Sequence, residues 1–208
     1  MSDSQRNLTS GARRLCRVML VTVAGLLILT GPESGVAKPS QESGMVSIEQ
    51  LKPMRLETPI VRGDRPVAVI AVPGDSYAEL ARSVQKAVLA ATGVSLPVVV
   101  EDELTEEARR SRTVIAMGNL MISRFAERLY RMNYVHADVR YPGVGGFVVR
   151  TVHDPWGSGS NVLFLGGSDR EGVARAVARF SEIVTDCRSG TLPQLLEVQF
   201  GETTRDEW

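Results

Sequence analysis

The tightest constraint on this chain's fold is an apolar run of strand length, residues 66–72, followed at once by a helix with both ends marked in the sequence. The run reads Pro-Val-Ala-Val-Ile-Ala-Val. It lacks polar alternation, as expected of a strand covered on both faces. Ser76 with Glu79 three residues later forms a capping box. Tyr77, Leu80, Ala81, Val84, Ala87, Val88 and Ala91 then recur at helical spacing, while Arg82, Gln85 and Lys86 face away. Gly93 suits the position just past the helix. A doubly covered strand beside a one-faced helix implies a sheet with helices packed on it.

The pattern continues along the chain. Strands are expected at 96–100, 113–117, 146–153, 161–165 and 195–200. Acidic-then-basic residues 101–110 suit a short helix. A second helix is expected over 120–131, with Ile122, Phe125, Ala126 and Leu129 on one face. Ser168 with Glu171 repeats the capping box before a last helix that runs to about Thr185. The link 154–160 is dense in Gly, Ser and Pro, so its flanking strands read as an antiparallel hairpin. The expected fold is α/β (α+β), a mixed β-sheet with helices packed mainly on one face. Residues 59–200 form the domain, 38–58 a flexible lead-in and 201–208 a tail.

The N-terminus reads as an export signal over 1–37. Arg6, Arg13, Arg14 and Arg17 precede an uncharged, mostly apolar run at 18–30, and Gly35-Val36-Ala37 offers a small-x-small cleavage site before Lys38. That run is short of the roughly 20 residues a spanning helix needs. The expectation is a protein exported to the periplasm or beyond, with no membrane contact after signal removal. Signal loss leaves Cys187 as the single cysteine, so no internal disulfide can form, and stability falls to a packed core.

Composition narrows the chemistry. Across 208 residues, 24 Lys and Arg balance 24 Asp and Glu, which argues against nucleic acid as the partner. His136 and His153 are the only histidines. No HExxH, CxxC or acidic cluster accompanies them, so neither a metal nor a cofactor is expected. Gly166-Gly167-Ser168 lies between a strand and a helix, where free N–H groups can hold an anion. It lacks the spacing of a phosphate loop, and a tight strand-to-helix turn explains the same residues. The acid pairs Asp102/Glu103, Glu106/Glu107 and Asp169/Glu171 sit near helix starts, where they are stabilising anyway.

The remaining candidates are on loops. Trp156 belongs to the hairpin link and Tyr141 to a Gly-rich bend. A flat ring on a loop can lie against a sugar face; equally, Trp156 can fold back over the sheet. His153 beside Asp154 can form a hydrogen-bonded pair that either works as a base or stabilises a turn. Trp156, Tyr141, His153 and Asp154 are therefore the possible glycan contacts, and no catalytic residue is assigned.

Several stretches together resemble a known family. They are TGVSLP at 92–97, VIAMGN at 114–119, YPGVGGFVVRTVH at 141–153 and NVLFLGGSDREGV at 161–173. In this order they resemble the non-catalytic N-terminal accessory domain of secreted bacterial glycoside hydrolases, ahead of the barrel in family-20 β-hexosaminidases and family-67 α-glucuronidases. The resemblance spans residues 66–185. It implies a mixed sheet with helices mainly on one side, a carbohydrate context, and catalytic acids in a following barrel. A barrel takes about 250 residues, and 23 follow Thr185 here, so no catalytic residue carries over. The expected function is a secreted, non-catalytic carbohydrate-associated domain attached to, or acting with, a polysaccharide-degrading enzyme. The alternatives are a structural or protein-interaction module, or a small hydrolase or lyase in its own right.

Overall fold

The computed structural model describes residues 52–202. All the described residues belong to one compact unit. The expected signal at 1–37, most of the lead-in and residues 203–208 of the tail lie outside the described residues.

Six strands make the main sheet: β1 (Ala68–Val72), β2 (Val98–Val100), β3 (Thr113–Gly118), β4 (Phe147–Val152), β5 (Val162–Gly167) and β6 (Leu196–Gln199). Their spatial order is β6-β4-β5-β3-β1-β2. β1 runs parallel to β2 and β3, and β3 runs parallel to β5. β4 is antiparallel to both β5 and β6, closing the hairpin that the 154–160 link implies. The sheet is therefore mixed. β1, β3 and β5 are buried at every position, which accounts for their unbroken apolar sequences.

Four α-helices pack on it: α1 (Ala78–Thr92), α2 (Glu106–Ser111), α3 (Arg124–Arg131) and α4 (Arg170–Asp186). On one face α1 and α4 lie side by side. Ala81, Val84, Val88, Val177 and Phe180 meet Ile70, Ile115 and Leu163 there. The opposite face is also covered. Phe125, Ala126 and Leu129 of α3, with Leu104, Val135 and Ala137 from loops, pack on Val69, Val114 and Phe164. The expectation of helices mainly on one face thus holds for the two long helices alone; the second face is closed by a shorter helix and ordered loops.

Helix starts differ from the sequence pattern for local reasons. α1 is preceded by a 3-10 turn, Asp75–Tyr77, and has no side-chain cap. The Ser76–Glu79 box does not form, and the Ser76 carbonyl instead accepts from the Arg170 guanidinium. The helix ends as expected: Gly93 is left-handed at φ 75°, and its amide donates to the Leu89 carbonyl at 2.8 Å. At α4 the cap is Asp169 rather than Ser168, its carboxylate accepting from the Gly172 amide at 2.7 Å. The 101–110 helix divides into a 3-10 turn, Glu101–Glu103, and the short α2 capped by Thr105. α3 starts at Arg124 rather than 120, since Ser123 caps it through the Ala126 amide and leaves Ile122 exposed. Among the described residues no helix is long and apolar enough to cross a membrane.

Candidate functional site

In open sheets with parallel strands, ligands favour the crevice outside the strands' carboxyl ends, where connections leave in opposite directions. Here β1 leads by α1 to β2 on one side, while β3 leads by α3 toward β5 on the other. The protein's own side chains tie that crevice together. Asn119 Nδ2 donates to the Gly167 and Ser168 carbonyls at 3.0 and 3.1 Å, and its Oδ1 accepts from the Met121 amide. Arg170 bridges to Ser76 across the gap. Burial pushes the neighbouring Tyr77 phenol above its ordinary pKa.

The Gly-rich segments serve close packing. Ser168 Oγ accepts from the Gly143 amide at 2.9 Å, and Asp169 Oδ2 accepts from the Gly145 amide at 2.9 Å. A Cβ on Gly146 would lie 2.5 Å from the Gly201 nitrogen and 2.7 Å from the Pro142 oxygen. The N-terminus of α4, which the sequence offers as an anion site, already holds the Asp169 carboxylate. Of the two readings of Gly166-Gly167-Ser168, these contacts favour the tight turn.

Tyr141 is set by this same packing. Asp138 Oδ1 accepts from the Arg140 and Tyr141 amides at 2.7 and 2.8 Å, folding 138–141 into a turn. Tyr130 donates its hydroxyl to the other Asp138 oxygen. The Tyr141 ring packs on the second-face core and meets Phe200 edge-on, with centroids 5.9 Å apart. Phe200 is 68% exposed. The two rings form a fixed aromatic corner at the β6 edge of the sheet.

Trp156, His153 and Asp154 lie beyond the opposite end of β4, whose six residues span about 17 Å at ~3.4 Å per residue. Asp154 is buried with φ 34°, and its Oδ1 accepts from the Ser158 and Gly159 amides. His153 Nε2 accepts from the Arg55 amide at 2.6 Å, and Lys52 donates to the Asp154 carbonyl at 2.6 Å. Asn161 Nδ2 reaches both the Arg55 carbonyl and Thr58 Oγ1. His153 and Asp154 thus each bind backbone: they strap residues 52–57 to the hairpin loop, beside a cavity of about 690 Å³ lined by Arg55, Glu57, Arg62 and Asn161.

Trp156 is half-buried and folds back on α3. Phe125 meets it edge-on at 5.9 Å, and the Arg128 guanidinium lies 4.6 Å over its ring. Arg128 also pairs with Glu106, and that hydrogen bond holds the Glu106 carboxyl below its usual range. A cavity of about 290 Å³ beside them is lined by Glu101, Asp102, Arg109, Arg124, Phe125 and Arg128. Glu101 is buried in its wall and accepts from Ser123 Oγ and the Arg124 and Phe125 amides.

Sequence reasoning missed Phe200 and Glu101. Phe200 was detectable by asking which side of strand 195–200 stays open, since Leu196, Val198 and Phe200 alternate with Glu197 and Gln199. The inward turn of Glu101 leaves no sequence signal, because its partners are 22 to 24 residues away. Among the described residues, no group of three or more His, Cys, Asp or Glu is placed to hold a metal ion.

No protein-family model matches the chain, and no curated protein matches it. Among solved structures, one titled "Structure of CpGH84D" is similar at a TM-score of 0.49 and 14% identity, covering 72% of this chain and 22% of that one. This chain therefore spans about a fifth of that protein's length. At that score the likeness carries no argument about fold or function.

Proposed function

We propose that this chain is an exported, non-catalytic, carbohydrate-associated accessory domain, with a signal at 1–37, acting attached to or alongside a polysaccharide-degrading enzyme. The observation that carries the reading is the Tyr141–Phe200 corner, a half-buried ring meeting an exposed one and held in place by Asp138 and the Gly-rich bend. A pyranose offers a C–H face that such rings bury, and a pre-set turn avoids the entropy cost of ordering a loop on binding. Family resemblance in the stretches at 92–97, 114–119, 141–153 and 161–173 supports the same context. In this reading the sugar contact is Tyr141 with Phe200. Trp156, with one face under Arg128, and the His153–Asp154 pair, engaged with the 52–57 segment, build the other end of the domain.

Affinity electrophoresis in gels containing xylan, chitin fragments or other polysaccharides tests it. The intact chain is retarded in at least one gel, Tyr141→Ala and Phe200→Ala each weaken that retardation, and Trp156→Phe leaves it unchanged. No retardation in any gel, or retardation indifferent to the double Tyr141/Phe200 variant, overturns the reading.

A second reading, a protein-interaction module, draws on a different observation. Leu196, Val198 and Phe200 leave a solvent-facing apolar stripe outside the core.

A further inference from the structure

One edge of the sheet, the β6 edge, has the geometry to accept another strand. β6 is outermost and bonded on one side to β4. The Leu195 carbonyl accepts from the Thr151 amide at 2.9 Å, and in an antiparallel ladder alternate residues turn their backbone groups to the same neighbour. Residues 195, 197 and 199 therefore address β4, and the amides and carbonyls of Leu196, Val198 and Phe200 point outward. Among the described residues, nothing hydrogen-bonds to those outward groups. The same three side chains are 69%, 37% and 68% exposed, on the face shared with Val148. Open edges are commonly guarded by Lys or Pro, and residues 196–200 contain neither. Glu197, the one charge on this edge, points to the other face, where Arg179 holds it at 2.7 and 3.0 Å.

These features suit a second copy of the same chain. About a two-fold axis through Val198, antiparallel pairing sets Val198 opposite Val198 and Leu196 opposite Phe200, an apolar ladder on one face. On the other face Glu197 falls opposite Gln199, so no like charges meet. The outward amides of each copy meet the outward carbonyls of its mate. A one-residue slip would set apolar side chains against Glu197 and Gln199 on the wrong face. α4 packs over β5 and β4, inboard of the edge. We infer that two copies pair through β6 into one continuous sheet, with Val198 on Val198. The contact is small beside stable dimer interfaces, so the association is weak and reversible. It sets both Tyr141–Phe200 corners on the same face, their Phe200 Cα atoms about 14 Å apart at ~3.4 Å rise and ~4.8 Å strand spacing. The pairing stands whether or not those corners bind sugar.

Sedimentation equilibrium of the full chain reads the association directly: the average mass rises toward twice the monomer's with concentration. Val198→Pro removes an amide hydrogen that β4 does not use, so the variant keeps its melting temperature and stays monomeric. In a chain with Cys16 and Cys187 changed to serine, Val198→Cys oxidises to a linked dimer, because directly opposed residues lie within the roughly 4.4–6.8 Å reach of a disulfide. Gln199→Cys, which faces Glu197 of the mate, does not. A chain monomeric at millimolar concentration, a dimer indifferent to Val198→Pro, or equal linking of the two cysteines overturns the inference. So does a monomer that pairs only after removal of residues 203–208 or 1–51, which would set the chain's own terminus on the edge.

Discussion

Glu101→Ala is the most informative single perturbation of the fold. Glu101 is only 7% exposed, and its carboxylate accepts from Ser123 Oγ at 2.7 Å, the Arg124 amide at 2.7 Å and the Phe125 amide at 3.3 Å. These two amides are among the four at the start of α3 that lack intrahelical partners. A hydrogen bond to a charged group contributes about 1.5–3 kcal/mol, and a buried donor left unpaired costs about 1–3 kcal/mol. The three contacts share one carboxylate and are not additive. The Arg124 amide can also recover water once the side chain is gone. The expected loss is therefore about 2–4 kcal/mol, more than the roughly 1 kcal/mol of an ordinary helix cap. Glu101→Gln keeps one acceptor oxygen and should fall between. Ser123→Ala removes both the Ala126 cap and one Glu101 contact, so the double variant should destabilise by less than the sum of the singles. Urea unfolding followed by far-UV circular dichroism measures all four chains. A Glu101→Ala unfolding free energy within about 0.5 kcal/mol of the parent's, a surface-like effect, would show that the tertiary cap does not hold α3.

Two further outcomes rest on packing and charge. Gly146→Ala should cost about 2–3 kcal/mol in urea unfolding, since its Cβ meets backbone of Gly201 and Pro142 that cannot yield; Gly157→Ala, in open space at φ 64°, should cost only about 1 kcal/mol. Hydrogen bonding to Arg179 holds Glu197 below the usual carboxylate range, so its contribution is present above the unfolded-state pKa and lost as pH falls through the lowered native value. Glu197→Gln should therefore flatten the acid side of the stability profile below about pH 4.5, by a small amount because the pair is solvent-exposed; parallel profiles would remove the interaction from the account.

The strands of the main sheet, their order along the chain and the β4–β5 hairpin were legible because apolar, mostly valine-rich runs and a Gly/Ser/Pro link carry local signals, whereas the two-residue pairings of Thr58–Pro59 with Thr191–Leu192 and of Val61–Arg62 with Arg65–Pro66 carry none. So was the end of α1, where Gly93 adopts the conformation that the helix terminus requires. The starts of helices were less legible. Ser76 and Ser168 have the spacing of capping boxes, yet Ser76 sits in a 3-10 turn and Ser168 Oγ accepts from the Gly143 amide, a contact across 25 residues. Asp169, one residue on, caps α4 instead. The candidate site was half legible. Tyr141 emerged from its Gly-rich bend, but its ring partner Phe200 lies 59 residues away and is brought to it by the β4–β6 pairing. The relation of Trp156 to Arg128 is likewise tertiary, since nothing local places a guanidinium from α3 over a hairpin loop.

The central claim is that sugar is met at the Tyr141–Phe200 corner. Amide and aromatic chemical-shift mapping, with an oligosaccharide cut from any polysaccharide that retards the chain, tests it most directly. Sugar at this corner gives saturable shifts concentrated at Tyr141, Phe200 and residues 138–146, with the Trp156 indole and His153 unmoved. Shifts centred on Trp156 and the 153–160 loop, or no saturable shift at all, would contradict it.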